Sequence, residues 1–189
     1  MSDSDHILKL YQSLHQIVPF QEGEWEEMQS YVHVLKLKKK EYFLKMGEKA
    51  YREGFVASGL MRLFYLDVEG KETNRGFALE GSYCGGSTAG VFSGQPAIFS
   101  IQALEPSILV TLSLSELKST SYFKNVESLF LKKALAYREQ REQMMLLDAE
   151  SRYFRFLNNK KILSKRLPQH HIASYLGIDP ATLSRLKNK

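Results

Sequence analysis

The stretch Gln169-His-His-Ile-Ala-Ser-Tyr-Leu-Gly-Ile-Asp-Pro-Ala-Thr-Leu-Ser-Arg-Leu-Lys-Asn188 decides how this chain is read. Two short helices that cross steeply need apolar residues facing each other. Ile172 and Leu176 on the first meet Leu183 and Leu186 on the second at helical spacing. Ala173 falls at the crossing, where a larger side chain would push the helices apart. Gly177 stands where the first helix ends and the chain turns through a left-handed residue. Asp179 is the expected N-cap of the second helix, and Pro180 takes its first position, where a missing N–H costs nothing. This spacing predicts a helix-turn-helix. A helical hairpin that merely packs would not need all of these residues at their offsets.

A unit of this kind lays its second helix in the major groove of double-stranded DNA. The outward residues there are Ala181, Thr182, Ser184 and Arg185, with Lys187 and Lys189 beyond. Arg185 is the leading base contact, because a guanidinium pairs bidentately with guanine. Thr182 suits a phosphate or a thymine methyl. Gln169, His170 and Ser174, near the start of the first helix, suit phosphate contacts that set register without reading sequence. His170 and His171 do not read as a metal site, since helical neighbours point about 100° apart and no third ligand is near in sequence.

Charge supports the same reading. Residues 151–189 carry nine basic side chains against one acid, Asp179, a balance of +8, whereas the first 150 residues hold 17 basic against 20 acidic. A basic module after a mildly acidic body is the footprint of one end that meets a polyanion. A solvated lysine-rich tail is the bland alternative.

With 189 residues and 43% hydrophobic side chains, the chain has material for one or two packed domains. No window approaches the roughly 18 uncharged apolar residues of a membrane helix, so no membrane partner is expected. The acidic start Met1-Ser-Asp-Ser-Asp5 lacks the order of a secretory signal, and a cytoplasmic protein is expected. Cys84 is the only cysteine. That excludes an intrachain disulfide, a Cys-ligated structural zinc and a Cys-held iron–sulfur cluster. Beside Tyr83 it reads as a small buried hydrophobe rather than a reactive thiol.

Upstream, Ile7 to Val18 recurs at helix spacing until Pro19, and a short helix is expected over Glu22–Gln29. Val32–Leu37 alternates only loosely, and from Tyr42 short apolar runs separated by glycines and polar pairs follow one another to Leu114, the signature of an antiparallel barrel or sandwich. Asp67-Val-Glu-Gly70 reads as the turn between two such strands. The helix period returns at Ser115, the expected N-cap, and holds to about Leu147. Val126, Phe130, Tyr137, Met144 and Leu147 lie on one stripe, interrupted by Lys133 and Gln140, and predict a helix–helix dimer seam. The expected fold class is α+β, with an N-terminal antiparallel β-roll domain with leading helices over 1–114, a dimerisation helix over 115–147 and a helix-turn-helix domain over 148–189.

This order of parts resembles the Crp/Fnr family of bacterial regulators over essentially the whole chain. Gly47-Glu48 followed by Phe55-Val-Ala-Ser-Gly59-Leu-Met-Arg-Leu-Phe-Tyr65 resembles the family's β-roll entry, and Glu69-Gly-Lys-Glu72 its hairpin. Phe77 to Leu104 is similar in placement to the cyclic-nucleotide cassette, and Leu167 to Lys187 to the helix-turn-helix. The resemblance implies a cyclic-nucleotide-binding-like jelly roll. It also implies a homodimer through the 115–147 helix that binds two related DNA half-sites, with RNA polymerase as a further partner.

Two departures qualify the resemblance. Cyclic AMP-responsive members place a Gly-Glu pair and a later Arg in the cassette. Here the matching residues are Gly85-Gly86-Ser87-Thr88-Ala89 and Pro96-Ala97-Ile98-Phe99-Ser100, and no Arg or Lys occurs between Arg75 and Lys118. A phosphate without a cation loses its strongest bonds. The effector pocket is therefore expected around Gly85, Gly86, Ser87, Thr88, Ala97, Ile98 and Phe99, with cyclic AMP not its effector and no cofactor or metal assigned. In the reading helix, Ala181 stands where relatives often carry a glutamate, so the half-site should differ. The sequence ends soon after that helix, which implies a short reader without a β-hairpin wing and a smaller salt slope.

A ligand-sensing module acting through protein contacts without DNA binding is the alternative function. An enzyme is not expected, because no nucleophile triad, phosphate loop or metal spacing occurs. A cupin-like metal barrel would want several His and Glu at its mouth, and His33 is the only His near the strands.

Overall fold

The computed structural model describes residues 2–85 and 95–188. Helix α1 (Asp3–Ile17) starts from a capping box, in which Ser2 Oγ accepts from the Asp5 N–H and the Asp5 carboxylate accepts from the Ser2 N–H. Its apolar stripe buries Leu10 and Leu14, and α2 (Glu24–Gln29) follows left-handed Gly23.

Eight described strands then form two four-stranded sheets, in the orders β1-β8-β3-β6 and β2-β7-β4-β5. They are β1 (Val32–Leu37), β2 (Tyr42–Leu44), β3 (Arg52–Ser58), β4 (Met61–Leu66), β5 (Glu72–Ala78), β6 (Tyr83–Gly85), β7 (Ser100–Ala103) and β8 (Ser107–Ser113). Strand β3 lies between β8 and β6 and is buried on both faces. Val56 points into the roll with Met61, Phe99 and Ile101. Phe55 and Ala57 point outward under α1, against Leu10, Leu14 and Phe130. That double burial is why Phe55-Val-Ala reads as an unbroken apolar run rather than an alternation. The expected hairpin is present: Gly70 takes φ 81°, and Asp67 Oδ1 accepts from the N–H groups of Glu69 and Lys71.

The helix expected to run from Ser115 to Leu147 is broken in two. A single turn, α3 (Leu114–Leu117), starts after Ser113, which makes no side-chain cap bond, so Ser115 lies inside the turn and is not its N-cap; the long helix α4 covers Phe123–Met145. Ser119 and Thr120 hydroxyls bond back to the carbonyls of Glu116 and Leu117, a local competition that ends helices. Tyr122 is then drawn inward, 1% exposed, to donate to the Val18 carbonyl at 2.6 Å.

Four helices follow: α5 (Ala149–Asn159), α6 (Lys161–Arg166), α7 (Gln169–Leu176) and α8 (Pro180–Lys187). Asp148 caps α5 through the Ser151 N–H. Their core joins Tyr153, Phe156, Leu163, Ile172, Leu176, Leu183 and Leu186, and it also takes in Met144 of α4 and Leu60 of the roll. The C-terminal helices are thus packed onto α4 and the roll.

Gly59, between β3 and β4, has φ 101°, and a Cβ there would lie 2.7 Å from Ser107 Cα. Gly59→Ala should cost about 2–4 kcal/mol through strain and backbone clash, measured as a lower urea midpoint; an unchanged midpoint would contradict this packing.

Candidate nucleic-acid interface and effector pocket

Helices α7 and α8 meet as the sequence predicts. Gly177 ends α7 with φ 65°, and its N–H reaches the Ala173 and Ser174 carbonyls. Asp179 Oδ1 accepts from the Thr182 N–H at 2.9 Å, and Pro180 opens α8. The hydrogen bonds from Thr182 hold the Asp179 carboxyl below its usual range. Ile172, Ala173, Leu176, Leu183 and Leu186 are buried.

On the outer face of α8, Ala181, Ser184, Arg185 and Lys187 are exposed. Thr182 is half-buried and committed locally. Its hydroxyl donates to Asp179 Oδ2 at 2.6 Å and accepts from the Arg185 guanidinium at 3.0 Å, which orients Arg185 along the helix. Gln169 and His170 are exposed at the start of α7. Ser174 is different: it is half-buried, and its Oγ accepts from the backbone N–H of Asn74 on β5 at 2.9 Å.

Asn74, 2% exposed, holds α7 at a second point. Its Nδ2 donates to the His171 carbonyl and to His171 Nδ1, both at 3.1 Å. An amide nitrogen only donates, so Nδ1 is the unprotonated nitrogen of a neutral imidazole. Burial, then the neighbouring His170 and Arg62, depress the His171 pKa to about 4, against a smaller opposing effect of Glu72. Arg166 adds a bridge from α6, reaching Glu80 at 2.8 and 3.1 Å and Glu105 at 2.5 Å. That guanidinium holds the Glu80 carboxyl down to about 2. Both acids are well exposed, so the bridge is screened and its strength modest.

A cavity of about 650 Å³ lies between the roll and α4. Of the expected effector residues, Gly85 and Phe99 line it. Ala97 is instead buried in the roll core, where its carbonyl accepts from the Gly47 N–H, and Ile98 is 60% exposed. Neither lines the cavity, because the chain at 96–98 pairs with the Gly47–Lys49 turn on the other side of the roll. Gly86, Ser87 and Thr88 lie outside the described residues.

The sequence reading missed the charged lining: Glu53, Arg75, Lys133, Arg138 and Arg141. The strand segment expected to be without cations is served by Arg75 at its edge and by three basic residues of α4. Lys133 lies 3.7 Å from the Tyr83 ring centroid, and the Arg75 guanidinium sits over both Phe99 and Tyr137. The spacing of Lys133, Tyr137 and Arg141, four apart on α4, was the available signal. The same face carries Phe130 into the core and Met144 against the reader. The stripe expected to form a dimer seam therefore turns inward, and Leu131, Leu135, Arg138, Glu142 and Met145 form an exposed one, with Leu131 and Arg138 also at the rim of the cavity. Cys84 is a buried free thiol whose pKa burial raises.

Glu53 is 6% exposed, with its carboxyl against the Cα side of Gly85. Burial pushes its pKa up to about 8, opposed by the charge of Lys133, which burial in turn lowers. Such a carboxyl favours the fold only while protonated. The fold carries no penalty below the ordinary 4.5 and loses stability as pH climbs toward 8. Glu53→Gln should therefore be more stable than the parent by on the order of 3 kcal/mol at pH 8 and indistinguishable at pH 4.5. A pH-independent difference in thermal unfolding would refute this.

With that geometry in hand, comparison places the chain among known folds. Residues 34–120 match the family described as cyclic nucleotide-binding domain. Solved structures similar to the chain are Crp/Fnr-family transcription regulators. FixK2 from Bradyrhizobium japonicum has a TM-score of 0.67 at 21% identity, covering 83% of each chain. The c-di-GMP responsive global regulator CLP of Xanthomonas campestris has 0.66 at 18%, covering 89% of this chain and 90% of that one. A CooA mutant from Carboxydothermus hydrogenoformans has 0.68 at 18%, covering 93% and 82%. No curated protein matches the chain in sequence. At these identities the likeness establishes a shared fold: a cyclic nucleotide-binding β-roll, a long helix and C-terminal helices.

Proposed function

We propose that the chain is a cytoplasmic, sequence-specific DNA-binding transcription regulator of Crp/Fnr type. It acts as a homodimer through the outer face of α4, with a small-molecule effector in the cavity beneath that helix. The observation that carries this is α8. It is a short helix fixed by an Asp-Pro start and a buried apolar back, and it presents Ala181, Ser184, Arg185 and Lys187 to solvent on a module of net charge +8. That combination of shape and charge suits the major groove.

The dimer reading rests on the outer stripe of α4, where Leu131, Leu135 and Met145 are 52%, 53% and 77% exposed. Residues 131, 135, 138, 142 and 145 alternate steps of four and three, the spacing of a helix–helix seam. Two copies joined there would present two α8 helices to related half-sites.

Arg185→Ala should lower affinity for an oligonucleotide selected from a random pool by about 1–3 kcal/mol and flatten the preference at one base pair. Fluorescence anisotropy measures both, and equal affinity of the parent for every sequence would remove the regulator reading. Leu135→Glu should convert dimer to monomer in sedimentation at micromolar concentration. Lys133→Ala, on the pocket face, should leave the dimer intact, and the reverse pattern would assign the seam to the inner face.

A further inference from the structure

The register of β4 against β5 slips at one point. Leu63 pairs with Gly76, but Phe64 pairs with Asn74, so Arg75 is an extra residue in the strand. A bulge of this kind disrupts the ladder locally and re-aims side chains. On this edge strand the Asn74 N–H donates to Ser174 of α7, and the Arg75 carbonyl accepts from the Tyr137 hydroxyl of α4 at 2.5 Å. The Arg75 side chain enters the cavity while the neighbouring Asn74 side chain grips His171. One two-residue irregularity therefore touches the pocket, the long helix and the reader.

A second pocket cation makes the same connection by another route. Arg141 lines the cavity, donates to the Tyr175 carbonyl of α7 at 3.4 Å and lies over the Tyr175 ring. Neither Arg75 nor Arg141 has an ion-pair partner among the described residues. Both rest on aromatic faces, a weaker partner for a guanidinium than an oxyanion. The docked arrangement also leaves the buried Asn74 Oδ1 without a hydrogen-bond partner among the described residues, and water would reach it once α7 moved away.

We propose that the Asn74–Arg75 bulge is the coupling element of this regulator: an organic anion with a flat apolar body, held between Arg75 and Arg141, draws those side chains off Tyr137 and Tyr175 and releases α7 from β5. The inference rests on the effector role given above to the cavity. The ligand class follows from the walls, with guanidiniums for a carboxylate or phosphate and Tyr83, Phe99, Phe130 and Tyr137 for the apolar body. Release would uncover Ser174, which β5 half-buries in this state. A ligand shifts such an equilibrium only by its difference in affinity for the two states, and Arg141 supplies that difference by exchanging the Tyr175 carbonyl for the anion.

The test uses the full chain and reads amide hydrogen exchange over residues 169–176, with phenyl phosphate, benzoate and neutral benzyl alcohol as probes at equal ionic strength. Phenyl phosphate or benzoate should speed exchange there at least fivefold and benzyl alcohol should not, and whichever anion acts identifies the headgroup. Arg75→Ala should abolish the response. Asn74→Ala, and independently Ser174→Ala, which leaves the strand intact, should exchange fast without a probe and gain nothing from one. The proposal fails if neither anion acts, if Arg75→Ala responds like the parent, or if Ser174→Ala leaves exchange at the parental rate. Because the readout needs no DNA, a positive response in a protein that ignores DNA would overturn the DNA-reading function and leave the coupling standing.

Discussion

At Asn74, on the edge strand β5, a backbone N–H with no strand beyond it holds a helix from another part of the chain. Much of the architecture depends on that contact. The side chain of the same residue binds His171 twice, so α7 is fixed in both position and rotation against β5. With α7 fixed, the Phe77 and Tyr175 rings meet at a tilt across the junction, Met144 of α4 joins the core of the C-terminal helices, and Arg166 reaches Glu80 and Glu105. The β-roll and the C-terminal helices are packed as one body. A polar clamp that leaves Asn74 Oδ1 unsatisfied is less stable than a wholly apolar seam of the same area would be.

The pocket illustrates how folding assembles charge that no linear segment contains. Arg75 comes from β5, Glu53 from β3, and Lys133, Arg138 and Arg141 from α4. Burial then changes their chemistry, holding Glu53 largely protonated near neutrality and weakening the hold of Lys133 on its proton. Electrostatically the cavity is a cation-rich site with one neutral acid in its wall, and this favours anions over cationic or zwitterionic ligands.

The helix-turn-helix was legible because each of its constraints is local. Gly177, Asp179 and Pro180 act within a residue or two of themselves, and the apolar spacing of Ile172, Leu176, Leu183 and Leu186 is short-range. The β-roll was legible through its turns and runs. The interruption at Lys118–Tyr122 was not, because it depends on Tyr122 finding the Val18 carbonyl, over a hundred residues away in sequence. The inward face of α4 misled for a related reason. Phe130, Tyr137 and Met144 have the spacing of a dimer seam, and spacing alone does not distinguish a partner helix from the protein's own sheet. Lys133, which reads as a flaw in that seam, marks the pocket instead. Ala97 and Ile98 were assigned to the pocket by their order in the cassette, and the strand pairing takes them elsewhere.

The docking of the C-terminal helices on the roll is most directly examined at His171, whose imidazole burial, His170 and Arg62 keep neutral well below the ordinary pKa while Asn74 donates to its Nδ1. Its folded pKa lies below the ordinary 6.5, so the junction is at full strength above that pH and weakens as pH falls toward 4. Nuclear magnetic resonance titration of the His171 ring should give a midpoint close to 4, with the proton on Nε2 above it. A midpoint near 6.5, the value of a solvated histidine, would mean that α7 does not rest on β5.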